Sequence, residues 1–127
     1  MKKILIDTNI ILRYLLRDNE KLFKVANAYF EDAERGNSIL YVDELVIAEA
    51  LWTLTSFYKQ DKKEVQDILL KLISRNWVIN PRKKLILAAL KLCGSSNLSY
   101  VDSWIFEVSK SDKLELATLD KDLAKQF

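Results

Sequence analysis

Four carboxylates define the chemistry that this sequence could support. Asp7 ends a short apolar run, Asp102 and Asp120 stand where helices are predicted to begin, and Glu49 lies within an apolar stretch. The chain contains no histidine and a single cysteine, Cys93, which excludes histidine-based catalysis, an internal disulfide and a thiolate zinc cluster. Acid–base or metal chemistry must therefore use carboxylates, and a site built only from oxygen ligands favours Mg²⁺ or Mn²⁺.

Each of these acids also has a purely structural interpretation. Asp7 and Asp120 could cap the helices that follow them, and the pair Ser99 and Asp102 has the spacing of a capping box. Glu49 lies in a stretch that is apolar nearly all round, which predicts a largely buried helix. A buried carboxylate is costly unless it is paired or binds a metal, so the alternative for Glu49 is an ion pair with a lysine or arginine.

The elements that would position these acids alternate between strands and helices. Four strands are predicted, at about residues 3–7, 38–42, 77–79 and 114–118. Because glycine and proline are scarce, most of the remainder is predicted to be helical, at about residues 9–17, 20–35, 44–58, 62–75, 81–93, 100–111 and after 120. Asp43 and Asp61 are predicted to cap the third and fourth of these helices. Strands separated by helices imply a parallel sheet with right-handed crossovers.

The predicted sheet would gather the four acids at one place. Carboxyl ends of parallel strands and N-termini of the following helices share one edge of a sheet, so all four acids can face one crevice. Four carboxylates in one place repel strongly unless a cation neutralises them. Such a cation could lower the pKa of a bound water and orient a phosphate group.

The chain as a whole predicts one domain, residues 1–127, without a membrane segment. No apolar run approaches the roughly 18 residues that a membrane span needs. The apolar run near the N-terminus is shorter than the core of a signal peptide, which predicts a cytoplasmic protein. The net charge of +2 is too small to indicate a strongly basic nucleic-acid binder.

The order and the flanking residues of the four acids resemble the PIN domain. The segments that carry the resemblance are Asp7-Thr8-Asn9, Val46-Ile47-Ala48-Glu49, Tyr100-Val101-Asp102-Ser103-Trp104-Ile105 and Ala117-Thr118-Leu119-Asp120. The whole chain looks most like the small single-domain PIN ribonucleases that act as VapC-type toxins. The resemblance implies a three-layer α/β/α domain whose central parallel sheet has four or five short strands.

The resemblance also implies a site and a reaction. Asp7, Glu49, Asp102 and Asp120 would be the catalytic residues and would hold one or two Mg²⁺ or Mn²⁺ ions. A water activated by the metal would hydrolyse an RNA phosphodiester, leaving a 5′-phosphate and a 3′-hydroxyl. The residues expected to orient these acids are Thr8, Asn9 and Thr118. Asp122 is a candidate substitute ligand, with a solvated helix position as its alternative.

Further residues are candidates for contacts with RNA or with a protein partner. Arg13, Arg17 and Arg82, together with Lys83 and Lys84, are candidates for phosphate contacts, although a solvated surface position is the favoured alternative for each one taken alone. The apolar side chains at Trp52, Leu54, Phe57 and Tyr58 are more numerous than one buried face of a helix requires. They could form a homodimer interface, bind an antitoxin protein, or pack in the core.

Two departures from the family pattern concern the C-terminal part of the chain. The family often has an aromatic residue three positions after the fourth acid, where this chain has Leu123. Many relatives continue into a fifth strand, whereas this sequence stops at Phe127. The alternatives to a toxin are a housekeeping PIN nuclease in RNA processing and a catalytically silent PIN scaffold. A phosphatase with Asp7 as nucleophile is disfavoured because Asn9 replaces the second aspartate of that motif.

Overall fold

A three-stranded parallel sheet forms the centre of the fold. The computed structural model describes all residues, 1–127. The strands are β1 (Lys2–Ile6), β2 (Ser38–Val42) and β3 (Val78–Ile79), in the order β1-β2-β3. The pairing of β1 with β2 places Ile6 opposite Val42, so both strands end at the same level. The next residue in each chain segment therefore emerges at one common edge, which we call the carboxyl edge of the sheet.

Seven α-helices make up most of the rest of the chain, as the scarcity of glycine and proline predicts. They are α1 (Thr8–Leu16), α2 (Glu20–Glu34), α3 (Glu44–Trp52), α4 (Lys62–Ile73), α5 (Lys83–Ser95), α6 (Tyr100–Asp112) and α7 (Lys121–Ala124). The caps considered in the sequence form at Asp7, Asp43, Asp61, Ser99 and Asp120. Each cap accepts a backbone N–H at 2.8–3.1 Å, which satisfies a donor that the helix cannot pair. No helix combines the length and the apolar character that crossing a membrane requires.

The core lies between the sheet and the helices. Leu40 and Val42 of β2 are buried together with Ile11 of α1, Ile47 of α3 and Leu69 of α4. A smaller cluster of Leu98, Phe106 and Leu123 joins α6 to α7. The observed architecture is therefore a helix-rich α/β fold with a parallel sheet, in agreement with the predicted class.

The predicted fourth strand, residues 114–118, is not formed, and the sheet has three strands rather than four or five. Lys113 adopts a left-handed conformation (φ 55°) at the end of α6, and the hydroxyl of Ser109 donates to the Leu114 carbonyl at 2.6 Å. These contacts direct the segment along α6 instead of onto the sheet. One edge of β1 is consequently unpaired, and Leu5 in that strand is 69% exposed.

Two helix boundaries differ from prediction for local reasons. The fifth helix begins at Lys83 rather than at Pro81, because the Asn80 side chain accepts the Arg82 N–H at 2.7 Å and holds a turn there. The third helix ends at Trp52 and continues as a π-helical turn over Thr53–Phe57. A single wider turn therefore replaces the last part of the long helix that the sequence predicts.

Candidate functional site

Asp7 lies at the carboxyl edge of the sheet, between β1 and α1. Its Oδ1 accepts the N–H of Ile10 at 3.1 Å, so the side chain caps α1. Its second oxygen has no hydrogen-bond partner, the side chain is exposed, and no lysine or arginine pairs with it. The cap thus leaves one carboxylate oxygen of Asp7 available to a ligand.

Glu49 is exposed on α3, and the prediction that it is buried is wrong. Leu45 and Trp52, one turn before and one turn after it, are 78% and 65% exposed. The opposite side of the helix, with Ile47 and Leu51, packs into the core. Apolar residues therefore occupy both the buried and the exposed sides of α3. None of the ion pairs involves Glu49, so the alternative of an ion pair is also wrong.

Asp102 is the third residue of α6 and is half-buried. Its backbone N–H donates to the Ser99 hydroxyl at 3.1 Å. The reciprocal bond of a capping box, from the Ser99 N–H to the Asp102 carboxylate, is not made. The Asp102 carboxylate has neither a hydrogen bond nor an ion pair within the protein, so both of its oxygens are available.

Asp120 caps α7 and is supported by its neighbours in sequence. Its Oδ1 accepts the Leu123 N–H at 3.0 Å, and its own N–H donates to the Thr118 hydroxyl at 3.0 Å. Thr118 therefore fixes the backbone at Asp120. Thr8 and Asn9, by contrast, make no side-chain hydrogen bond to any of the four acids, although they were expected to orient them.

The structure places three of the acids on helices that pack together, but it does not bring them into one cluster. Helix α1, which Asp7 caps, packs on α3, and α3 packs on α6. No group of three or more acids comes close enough to hold a metal ion. Carboxylates repel one another, and no lysine or arginine side chain pairs with any of the four. The donor chemistry fits Mg²⁺ or Mn²⁺, but in this structure the four acids are not close enough together to hold such an ion.

Arg13 lies on α1 and Arg17 directly follows this helix, so both are away from the end at Asp7. Arg13 donates to both carboxylate oxygens of Asp18 at 3.0 Å, and this hydrogen bonding raises the pKa of the guanidinium. Arg17 follows the last residue of α1 and packs over the ring of Phe23 at 4.5 Å. At 1.5 Å per residue it lies roughly 14 Å along the helix from its start. The ion pair uses only Nη1 of Arg13, so a phosphate contact by this residue would use its remaining N–H donors or compete with Asp18.

The other basic candidates are also held by protein contacts. Arg82 packs over Trp104 at 4.9 Å and lies 3.5 Å from Asp112. Lys83 donates to two main-chain carbonyls, those of Arg75 and Val78, each at 2.7 Å, and burial lowers the pKa of its ammonium. Lys83 therefore joins α5 to the start of β3. Lys84, in contrast, is exposed.

Sequence reasoning missed a polar group at the carboxyl edge. Asn80, which is 9% exposed, donates to the Val42 carbonyl and to Glu44 Oε1, each at 2.8 Å. Tyr100 is buried, and its hydroxyl has no hydrogen-bond partner. Burial raises the pKa of Tyr100, and the charges of Glu44 and Cys93 raise it further. In the sequence, the only indication of this polar group is an asparagine directly after a predicted strand. At that position an asparagine indicates a turn rather than a buried hydrogen-bond donor.

Comparison with known proteins gives one match. The family description "PIN domain" fits residues 4–126, a range that includes all four acids. No curated protein and no solved structure matches the chain significantly.

Proposed function

Because the chain belongs to the PIN domain family, whose members are generally nucleases, we propose that it is a metal-dependent endoribonuclease and the toxin of a toxin–antitoxin pair of the VapC type. The observation that supports this proposal is the family match over residues 4–126. The second support is that the four acids within that range lack ion pairs and are reached by solvent.

In this proposal Asp7, Glu49, Asp102 and Asp120 hold Mg²⁺ or Mn²⁺. The bound ion would lower the pKa of a water and offset the charge of the scissile phosphate. Asp7 contributes the carboxylate oxygen that its cap leaves free, and Thr118 keeps the backbone of Asp120 in place. Asp102 and Glu49 contribute carboxylates that make no competing bond within the protein.

The fourth strand that the sequence predicts is part of the same proposal. When the metal is bound, the segment Leu114–Thr118 pairs with the free edge of β1. It then forms the fourth strand of a three-layer domain. An unpaired strand edge is a template for pairing, and Leu114 at 57% and Leu5 at 69% exposure would both gain cover. Parallel pairing would carry Asp120 to the carboxyl edge, where Asp7 lies.

Pairing of this segment is expected to appear in amide hydrogen exchange. Adding Mn²⁺ should slow exchange at alternate amides between Glu115 and Thr118, because a parallel strand directs alternate N–H groups toward its neighbour. Ala117→Pro should remove this protection and weaken Mn²⁺ binding, since proline cannot donate to a ladder. Unchanged, rapid exchange of these amides at saturating Mn²⁺ would contradict the pairing.

The exposed strip of α3 and the π-helical turn is the proposed protein interface. Trp52 and Phe57, at the end of α3 and in the π-helical turn beyond Glu49, are 65% and 71% exposed, and large apolar patches on a surface mark interaction sites. Leu54 is buried in the core, so this residue is excluded from the interface that the sequence predicts. In the proposal the strip forms a homodimer, and an antitoxin protein neutralises the toxin.

Trp52→Glu is therefore expected to convert a dimer into a monomer, because a charge would be buried at the centre of the interface. Sedimentation velocity at micromolar concentration measures the change. Leu22→Glu, at a residue of α2 that is 44% exposed, is the matched control and should leave the sedimentation coefficient unchanged. If the unmodified protein is a monomer, the proposed homodimer is wrong. If the dimer persists in Trp52→Glu, its interface lies elsewhere.

One observation favours a second candidate function. The four acids do not form a cluster that could hold a metal, as expected for a catalytically silent PIN scaffold that binds a protein partner. A housekeeping nuclease in RNA processing would share the chemistry of the first proposal and differ only in its substrate.

The experiment that tests the proposal is cleavage of end-labelled structured RNAs by purified protein. Reactions contain Mn²⁺, Mg²⁺ or EDTA, and calorimetry measures Mn²⁺ binding separately. Cleavage that requires the metal and leaves 5′-phosphates would support the nuclease. Absence of both cleavage and Mn²⁺ binding would favour the scaffold.

A further inference from the structure

Lys62 places a positive charge at the start of α4, where the helix itself disfavours a cation. The N-terminus of a helix carries a partial positive charge, so a lysine there costs free energy unless other groups stabilise it. Lys62 is the first residue of α4, directly after the cap Asp61, and it pairs with no carboxylate. Its half-buried ammonium instead donates to two main-chain carbonyls, those of Leu98 at 2.7 Å and Ser96 at 3.1 Å.

These two carbonyls belong to the loop that joins α5 to α6. Ser96 directly follows α5, and the C-terminus of a helix carries a partial negative charge that favours a nearby cation. Gln66, one turn after Lys62, packs so close to Gly94 that a Cβ on the glycine would lie 2.4 Å from the glutamine side chain. Helix α4 therefore lies directly against the end of α5, which brings the Lys62 ammonium within reach of the loop.

The loop residue Leu98 connects this contact to two of the proposed metal ligands. Leu98 is buried in one apolar cluster with Leu123 of α7. The next residue, Ser99, caps α6 by accepting the Asp102 N–H at 3.1 Å. The Leu123 N–H, in turn, is the donor that Asp120 accepts when it caps α7. The position of Leu98 therefore affects the backbone at both Asp102 and Asp120.

We propose that Lys62 is a positioning residue, which holds the loop between α5 and α6 and thereby fixes Asp102 and Asp120 relative to each other. Because its ammonium is satisfied by carbonyls, Lys62 fixes these acids without forming an ion pair with either of them. The two hydrogen bonds need no metal, whereas the consequence for Mn²⁺ binding rests on the proposed function.

Loss of the ammonium is expected to loosen the loop. Lys62→Met keeps an aliphatic side chain and removes the charged donors. The unfolding equilibrium constant should rise about tenfold, because the loss of hydrogen bonds to a charged group outweighs the relief of the unfavourable helix position. Amide hydrogen exchange at Leu98 and Asp102, whose N–H groups are hydrogen-bonded within the loop and the cap, should become about tenfold faster.

Lys63, the next residue of α4, provides the matched control. It is exposed and forms no ion pair, so Lys63→Met removes the same charge from the same helix end without touching the loop. This variant should be at least as stable as the wild type and should keep the wild-type exchange rates. Lys62→Arg retains a cation with several donors, so it should restore most of the protection.

Calorimetry of Mn²⁺ binding tests the positioning role. The Mn²⁺ dissociation constant should rise about tenfold in Lys62→Met, the lower end of the effect of residues that orient metal ligands. It should be unchanged in Lys63→Met and largely restored in Lys62→Arg. In RNA cleavage, saturating Mn²⁺ should return Lys62→Met to the wild-type rate, whereas a purely structural defect would lower the rate at every Mn²⁺ concentration.

The results that would overturn the inference differ from those that would reject the nuclease. Equal exchange at Leu98 and Asp102 in the wild type and Lys62→Met would show that Lys62 does not hold the loop, and would leave the proposed function intact. Faster exchange with an unchanged Mn²⁺ dissociation constant would show that the loop does not position the acids. Absence of both Mn²⁺ binding and cleavage in the wild type would reject the positioning role together with the proposed function.

Discussion

Replacing Asp7 by asparagine is expected to abolish most metal-dependent cleavage of RNA while leaving the protein folded. Asparagine has the shape of aspartate, and its side-chain oxygen can still accept the Ile10 N–H, since asparagine and aspartate are equally good helix caps. The change removes the negative charge from the carboxylate oxygen that the cap leaves free. The proposed metal ligand would lose its charge without a loss of α1.

The expected loss of rate is more than about 100-fold, because changes to residues that merely orient metal ligands already cost 10–100-fold. Initial rates at several Mn²⁺ concentrations and the urea midpoint are measured on the same preparations. Asp67→Asn is the matched control, since Asp67 lies on the surface of α4 beside Lys71 at 2.9 Å. Asp102→Asn should behave like Asp7→Asn. Cleavage at the wild-type rate by Asp7→Asn would show that Asp7 is only a helix cap.

Truncation of Leu40 to alanine is expected to be the most destabilising single change in the sheet. Leu40 is completely buried in the central strand β2, where it lies opposite Ile4 of β1 and Val78 of β3. Removal of its side chain leaves a cavity that flanking strands cannot close without breaking the parallel ladder. Such a substitution typically lowers the free energy of unfolding by about 2–5 kcal/mol.

Urea denaturation followed by far-UV circular dichroism measures the effect of Leu40→Ala. Leu119→Ala, at a fully exposed leucine, should change the free energy of unfolding by no more than about 0.5 kcal/mol. A loss below about 1 kcal/mol for Leu40→Ala would mean that the sheet repacks around the smaller residue, contrary to its position between two strands.

The features that the sequence alone determined are those that depend on near neighbours in the chain. Helix starts were predicted at Asp43, Asp61 and Ser99 because a cap needs only a side-chain oxygen and the backbone two or three residues later. The strands at the N-terminus and before Asp43 were predicted from short apolar runs, and their parallel pairing followed from the helices between them. The absence of histidine, likewise, limits the acid–base chemistry whatever the fold.

Tertiary structure decided which faces are covered and which charges are paired. Glu49 lies among apolar residues in the sequence, yet it is exposed because no element packs over the side of α3 that holds Leu45 and Trp52. The segment at Leu114 has the composition of a strand, but hydrogen bonding at the end of α6 directs it elsewhere. Burial and pairing depend on elements distant in sequence, so local patterns predicted the helices and their caps but not the exposure of Glu49 or the missing fourth strand.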